Sequence, residues 1–267
     1  MHASQPVIGP ALAIVCILMV TAAALVYRFA ALGSAWTVPR AALRAVAQLA
    51  AVAGVLAAAM SRLWSSALVL AVMFVVAAAT AARRSQAHQG SWWLAGSVGI
   101  GLLSVLPLLL LSGVVPLDGV AIVPVAGSVL GATMTATAVA ARRALDTLGL
   151  RAGEVEAALS LGFSDRAARM EVIGRSAADA LLPNVDQART VGVVTLPGAF
   201  VGVLLSTGSP LQAGAVQILI LIAILLAQTC AVATTIELVA RGALTRDPGV
   251  RPEPRAQPWR RAKIQAR

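Results

Sequence analysis

Few side chains in this 267-residue sequence have the type and the neighbours that chemistry needs. There are two cysteines, Cys16 and Cys230, two histidines, His2 and His88, and one lysine, Lys263. Both cysteines sit in apolar stretches without metal-ligand spacing, where a thiol acts as small apolar filler. An intramembrane hydrolase needs a histidine or two acids inside such a stretch. Both histidines lie in polar flanks, and the only acid within the apolar stretches is Glu237, placed to pair with Arg241 four residues on. Proton or sodium coupling is disfavoured on the same ground. Holding nucleotide phosphates takes a glycine-rich loop before a lysine. Lys263 has none, so the chain does not hydrolyse ATP by that route, and no enzyme active site or metal-site spacing is apparent. The apolar stretches do carry mild polarity, at Gln48, Thr133, Met134, Thr135, Thr137, Gln187, Thr190, Thr195, Gln217, Gln228 and Thr229. Most such residues serve helix packing. Gln48, Thr133, Met134 and Thr195, with Pro197 and Gly198, are candidates for a pathway. Gly127, Gly131, Pro197 and Gly198 beside them are able to bend or open helices and expose backbone groups.

The elements that must position these residues follow from composition. The chain is 59% apolar and 12% charged, and its mean hydropathy is +0.85. A soluble domain averages about 25% charged residues. The net charge of +10 could signal nucleic acid, but the arginines cluster at the ends of long uncharged runs. That pattern keeps charge out of a bilayer core and argues for an all-α integral membrane protein with no nucleic-acid partner. Crossing roughly 30 Å of hydrocarbon takes about 20 apolar residues. Seven runs qualify: Val7 to Tyr27, Leu43 to Met60, Trp64 to Ala82, Trp92 to Leu111, Gly119 to Val139, Gln187 to Leu205 and Ala213 to Val239. The second and third are joined only by Ser61, Arg62 and Leu63, which predicts a helical hairpin.

Orientation follows from the basic residues. With the N-terminus outside, 20 of the 21 fall on the cytoplasmic side and only Arg62 lies outside. The leader, Met1 to Pro6, lacks the positive region of a signal peptide, so the first span is expected to be retained. The predicted outer loops are short. The cytoplasm receives one long insertion, Ala140 to Asp186, between spans five and six. A basic, proline-interrupted tail, 242–267, is expected to be flexible and near anionic headgroups, leaving 1–241 as the transmembrane domain.

The insertion is the informative segment. Gly153 precedes Glu154 to Leu161, which ends at Gly162; an acid at a helix start and glycine after its last turn predict a two-turn helix. Ser164 should cap a second helix that runs from Asp165 to Leu182 and stops near Pro183. Its apolar positions Met170, Ile173, Ala177 and Leu181 share a face. Pattern alone leaves two alternatives for this segment, a helix lying on the inner leaflet or a helix pair built to dock into a partner.

The string Glu156 to Gly162, EAALSLG, resembles the EAA-x3-G signature of the cytoplasmic loop by which ABC-transporter membrane subunits contact their ATPases. With Leu181-Leu182-Pro183, Val191 to Gly198, Gly208-Ser209-Pro210 and Gln217 it resembles the FetB-like permeases (YbbM). So do Arg44 to Leu49 and Val123 to Gly127 upstream. The 21 positions between Gly162 and Pro183 fit that group better than ordinary importers. The resemblance implies a permease subunit in the plasma (inner) membrane, a homodimer bound to two ATPase subunits that carry the ATP and Mg. It implies export of an iron-like metal ion or small solute. Glu154, Glu156, Ala157, Ala158 and Gly162 would form the coupling helix. Where family members carry Asn, Met and Gln near the pathway, this chain has Ser128, Ala132, Ala199, Phe200 and Val203, fewer ligands for a metal cargo. The rival expectation is an uncoupled channel or secondary carrier whose insertion is a surface helix; a scaffold without transport is a third.

Overall fold

The computed structural model describes residues 9–30, 32–59, 63–116 and 118–246. The described residues form helices and no strand beyond two isolated bridges. They divide into two units, 9–58 and 59–246.

The first unit holds α1 (Pro10–Phe29) and most of α2 (Thr37–Ala59). Pro10 stands in the first turn of α1, where its missing N–H costs nothing, and Arg28 lies in its last turn. α1 buries no residue. Ser61 and Arg62 of the expected hairpin turn lie outside the described residues.

The second unit is built on four long helices, α3 (Leu63–Ser85), α4 (Trp93–Leu111), α5 (Gly119–Leu150) and, last in the chain, α10 (Pro210–Ala240). α5 packs against α3, α4 and α10, and α4 against α3 and α10. Many of their contacts are made by small residues: Ala77, Ala81, Ala136, Ala140, Ala144, Ala227 and Ala231 are all buried, beside larger ones such as Leu94 and Leu130. Small side chains let backbones approach, which is how membrane helices gain packing energy without a hydrophobic drive between them. At Gly101 of α4 a Cβ would lie 2.7 Å from both the Ala227 carbonyl oxygen and Thr133 Cγ2.

Among the described residues, five helices are long and apolar enough to cross a membrane: α1, α3, α4, α5 and α10. α2 is of similar length but carries Arg40, Arg44 and Gln48 and is not among the five.

The sixth expected span is where the sequence reading fails. Gln187 to Leu205 is not one helix. α8 (Leu182–Thr190) ends, a turn follows, and α9 (Gly198–Thr207) restarts for 10 residues. That is about 15 Å of helix, half of a hydrocarbon core. The cause is local. Gly192 takes φ +83 and donates to the Thr195 carbonyl at 2.9 Å, while Pro197 forces Leu196 out of helical geometry. The apolar run Val191 to Val194 had concealed both breaks.

Three other boundaries move. The α5 helix continues past Val139 to Leu150, 32 residues or about 48 Å, so the start of the insertion is a helical extension of span five. Gly127 and Gly131 are incorporated in α5 without a break. Pro183 opens α8 and does not end a helix, its place in the first turn again needing no N–H donor. The expected flexible tail begins later than Gly242: Leu244 is buried, the backbone N–H of His88 donates to the Thr245 carbonyl at 3.0 Å, and Arg246 pairs with Asp146. The remainder of that tail lies outside the described residues.

Candidate functional site

Two regions of the second unit matter for function, the insertion at one end of the bundle and a polar seam inside it. The insertion begins with α6 (Ala152–Ser160), and its sequence dictates both ends. Glu154 occupies the first turn, where the helix dipole favours an acid, and lies 3.6 Å from Arg151. At the other end Gly162 adopts φ +90; its N–H donates to the Leu159 carbonyl (2.9 Å) and that of Phe163 to the Ala158 carbonyl (3.1 Å). This is a Schellman cap, and it requires a residue free to enter the left-handed region. Nothing lies within 4 Å of where a Gly162 Cβ would be, so backbone conformation alone selects glycine here.

α6 buries no residue. Its end presents apolar side chains to solvent, Leu161 at 80% exposure with Phe163 and Leu159 beside it. Glu156, Ala157 and Gly162 are also exposed, and Ala158 is half-buried. The residues expected to form a coupling helix are thus brought together on one short projecting element.

The next helix behaves differently. α7 (Asp165–Ala178) starts at Ser164, whose hydroxyl accepts from the Ala167 N–H at 3.3 Å. Its apolar face does not await lipid or partner. Ile173 and Ala177 are fully buried, and Met170 and Leu181 pack beside them, against α5 and α10. The amphipathic pattern is real, and its apolar face packs on the chain's own bundle. Polar straps reinforce that packing. Arg143 of α5 holds Asp179 at 2.7 Å, and the Thr147 and Ser176 hydroxyls are 2.8 Å apart. Arg166 grips Glu237 of α10 through two bonds of 2.7 Å, and Arg241 adds a third at 2.5 Å. The bond to Glu237 raises the pKa of Arg166 above its ordinary value. The expected Glu237–Arg241 pair is present, with Arg166 as the partner that linear spacing could not supply. Between α5, α6 and α7 lies a cleft of about 740 Å³ lined by Arg151, Glu154, Ala158, Glu171 and Arg175 among others.

Inside the bundle, Thr133 and Thr137 of α5, Ser97 of α4 and Gln228 of α10 are buried where the three helices meet. Gln228 Nε2 donates across to the Ala132 carbonyl at 2.9 Å. Among the described residues, the hydroxyls of Ser97, Thr133 and Thr137 and the Gln228 Oε1 atom have no hydrogen-bond partner. Elsewhere hydroxyls in these helices bond back to the preceding turn, as Thr135 does to Gly131 (3.0 Å) and Thr235 to Ala231 (2.7 Å). The seam therefore holds neutral oxygens with unused capacity.

The pathway candidates are not one cluster. Thr133 belongs to the seam, and Met134 packs half-buried toward α3. Thr195 is exposed in the turn before α9, Pro197 caps α9, and Gly198 begins it. Gln48 is on α2, in the first unit. Ser97 was not singled out in the sequence; its i+4 spacing from Gly101 and its place in an otherwise apolar run were the available signals. Ser128, Ala199 and Val203 line an apolar cavity of about 750 Å³ between α5, α9 and the start of α10. Ala132 lends its carbonyl to Gln228. Among the described residues no three His, Cys, Asp or Glu side chains group as a metal site.

Comparison with known proteins decides the family, because the model of the family described as "Uncharacterised protein family (UPF0014)" matches residues 10–244. The chain belongs to that family. UPF0014 relatives include the rice "UPF0014 membrane protein STAR2", 35% identical over 67% of this chain and 64% of its own length. The Arabidopsis "Protein ALUMINUM SENSITIVE 3" is 33% identical over 58% of each. The Escherichia coli "Probable iron export permease protein FetB" is 32% identical over 49% of each. The chain spans about half to two thirds of the length of the curated relatives it matches. No solved structure matches it. The FetB-like resemblance read from residues is thus a true family relationship, and the apolar helices of the chain accord with relatives whose names call them membrane proteins.

Proposed function

We propose that this chain is the membrane-spanning subunit of an ATP-driven exporter, moved by a separate ATPase that docks on α6. The observation that carries this is the contrast between neighbouring helices. α7 buries its apolar face in the bundle, whereas α6 buries nothing and presents Leu159, Leu161 and Phe163 beside Glu156 and the Gly162 cap. Exposed apolar groups on an otherwise charged segment are the usual mark of a protein contact. Force on α6 would pass through α7 and its straps to α5 and α10, the two helices that hold Thr133, Thr137 and Gln228. Sliding these helices against α4 would open the seam, whose neutral oxygens suit a hydrated cation or a small polar solute. A metal ion is favoured by the Escherichia coli relative, a probable iron export permease. Two copies in the cell's inner membrane, each with an ATPase, complete the proposal, with the N-terminus outside and the insertion in the cytoplasm.

The test is direct. Full-length chain purified in mild detergent should retain its ATPase, and Glu156→Lys or Leu161→Asp should release it while leaving the thermal unfolding midpoint unchanged. Retention by both variants would overturn docking on α6. Flux in reconstituted vesicles that is indifferent to ATP would favour the uncoupled carrier instead.

A further inference from the structure

Where α3 ends beside α5, a cleft of about 370 Å³ is lined by Arg83, Arg84, Gln86, Thr135, Ala138 and Arg142. It contains three cations and no acid. Among the described residues the ion pairs are made by Arg143, Arg151, Arg166, Arg189, Arg241 and Arg246, and none by Arg83, Arg84 or Arg142. A fourth arginine nearby shows the contrast. Arg246 is neutralised by Asp146 and serves as scaffold, its guanidinium donating to the Gln86 carbonyl (3.2 Å) and to Gln86 Oε1 (3.4 Å). Gln86 is thereby held at φ +57, a left-handed conformation uncommon for a side-chain-bearing residue. The wall of the cleft is fixed in advance, and its cations are left without a counterion.

The extent of its lining along α5 argues for a ligand with an apolar portion. Thr135 and Arg142 are two turns apart on α5, about 10 Å, with Ala138 between them as apolar floor. On α3, Val72 and Val76 are exposed at 56% and 59%, and Arg83 follows Val76 at two-turn spacing, so one face runs from apolar surface to guanidinium. Trp92 and Trp93, stacked at 4.0 Å where α4 begins, lie close in sequence to this end of α3. Tryptophans concentrate at membrane–water interfaces.

We propose that this cleft is a binding site for the phosphate headgroup of an anionic phospholipid, whose acyl chain lies along Val76 and Val72. Arginine suits this ligand because its planar donors engage phosphate oxygens in pairs. A lipid held here would bridge α3 and α5, and would occupy the bundle at a point distinct from α6.

The test uses the full chain in nanodiscs of phosphatidylcholine alone or with phosphatidylglycerol, with inorganic phosphate as the soluble probe. Native mass spectrometry should detect phosphatidylglycerol retained by wild type, and the lipid should raise the thermal unfolding midpoint. Each of Arg142→Gln and the pair Arg83→Gln/Arg84→Gln should weaken retention by roughly fivefold per arginine removed. Arg142→Lys, keeping charge but losing the planar fork, should fall between, and Arg189→Gln should behave as wild type. Equal effects of the two lipids, or loss of retention in Arg189→Gln as large as in Arg142→Gln, would overturn the site. Phosphate alone reproducing the shift would replace the lipid with a soluble anion. Should Arg142→Gln fail to fold, the Arg83/Arg84 pair, at the exposed end of α3, carries the same test.

Discussion

Gly162→Ala isolates backbone conformation from every other property of the insertion. A Cβ at this position meets nothing within 4 Å, so the substitution adds no clash. It does place an L-residue at φ +90, at a cost of about 1 to 2 kcal/mol. The two cap bonds, from Gly162 to Leu159 and from Phe163 to Ala158, have to be made at that cost or released. A change of that size alters the populated fraction of the cap roughly 5- to 30-fold. Because α6 buries no residue, global unfolding should not register the loss. Hydrogen exchange at the amides of Leu161, Gly162 and Phe163 should accelerate by that factor, and retention of the ATPase should fall with it. Gly153→Ala is the matched control. It also meets open space, lies inside α6 and should strengthen the helix by up to about 1 kcal/mol. Gly162→Asn, which tolerates left-handed geometry, should lose less than alanine. If Gly162→Ala exchanges and docks like wild type, the left-handed cap does not shape the coupling surface.

Other outcomes follow from the packing. Gly101→Ala places a methyl 2.7 Å from the Ala227 oxygen and Thr133 Cγ2 and should cost about 1 to 3 kcal/mol in detergent unfolding, while Gly96→Ala, facing open space on the same helix, should not destabilise. Gln228→Leu removes one cross-helix bond, worth about 1 kcal/mol, together with an unpaired buried oxygen, so stability should move little; flux in vesicles should fall if the seam conducts. Arg166→Gln cuts the Arg166–Glu237 strap and Glu237→Gln cuts it together with the bond to Arg241, so each should leave ATP hydrolysis by the assembled complex intact while reducing transport, and the double variant should be no worse than Glu237→Gln alone.

How far these features are legible in the sequence depends on the range of the forces involved. The ends of α6, the Ser164 cap and the apolar face of α7 follow from interactions within a few residues, and each is recoverable from local spacing. The partner of that face is not, since nothing in Met170, Ile173 and Ala177 says whether lipid, another protein or α5 and α10 will cover them. Glu237 shows the same limit, because Arg241 is one turn away and visible while Arg166 arrives through the fold. The broken sixth span was legible in principle at Gly192 and Pro197. Hydropathy averaging hid it, since Val191, Val193, Val194 and Leu196 outweigh two residues whose effect is conformational.

The distribution of polar bonds between helices argues for a mechanical division of the second unit. α7 is fastened to α5 by Arg143–Asp179 and Thr147–Ser176, and to α10 by Arg166–Glu237. α5 and α10 are further joined by Gln228 to the Ala132 carbonyl. On the α4 side, among the described residues Ser97 faces the seam without a bond, and at Gly101 the helix passes so close to Ala227 and Thr133 that a Cβ would not fit. Packing without directional bonds resists sliding less than packing with them, because a shifted contact loses only part of its attraction whereas a stretched hydrogen bond is lost within about an ångström. Force applied through α6 and α7 would therefore carry α5 and α10 together, and the slip plane would fall along α4, through the unpaired oxygens of Ser97, Thr133 and Thr137.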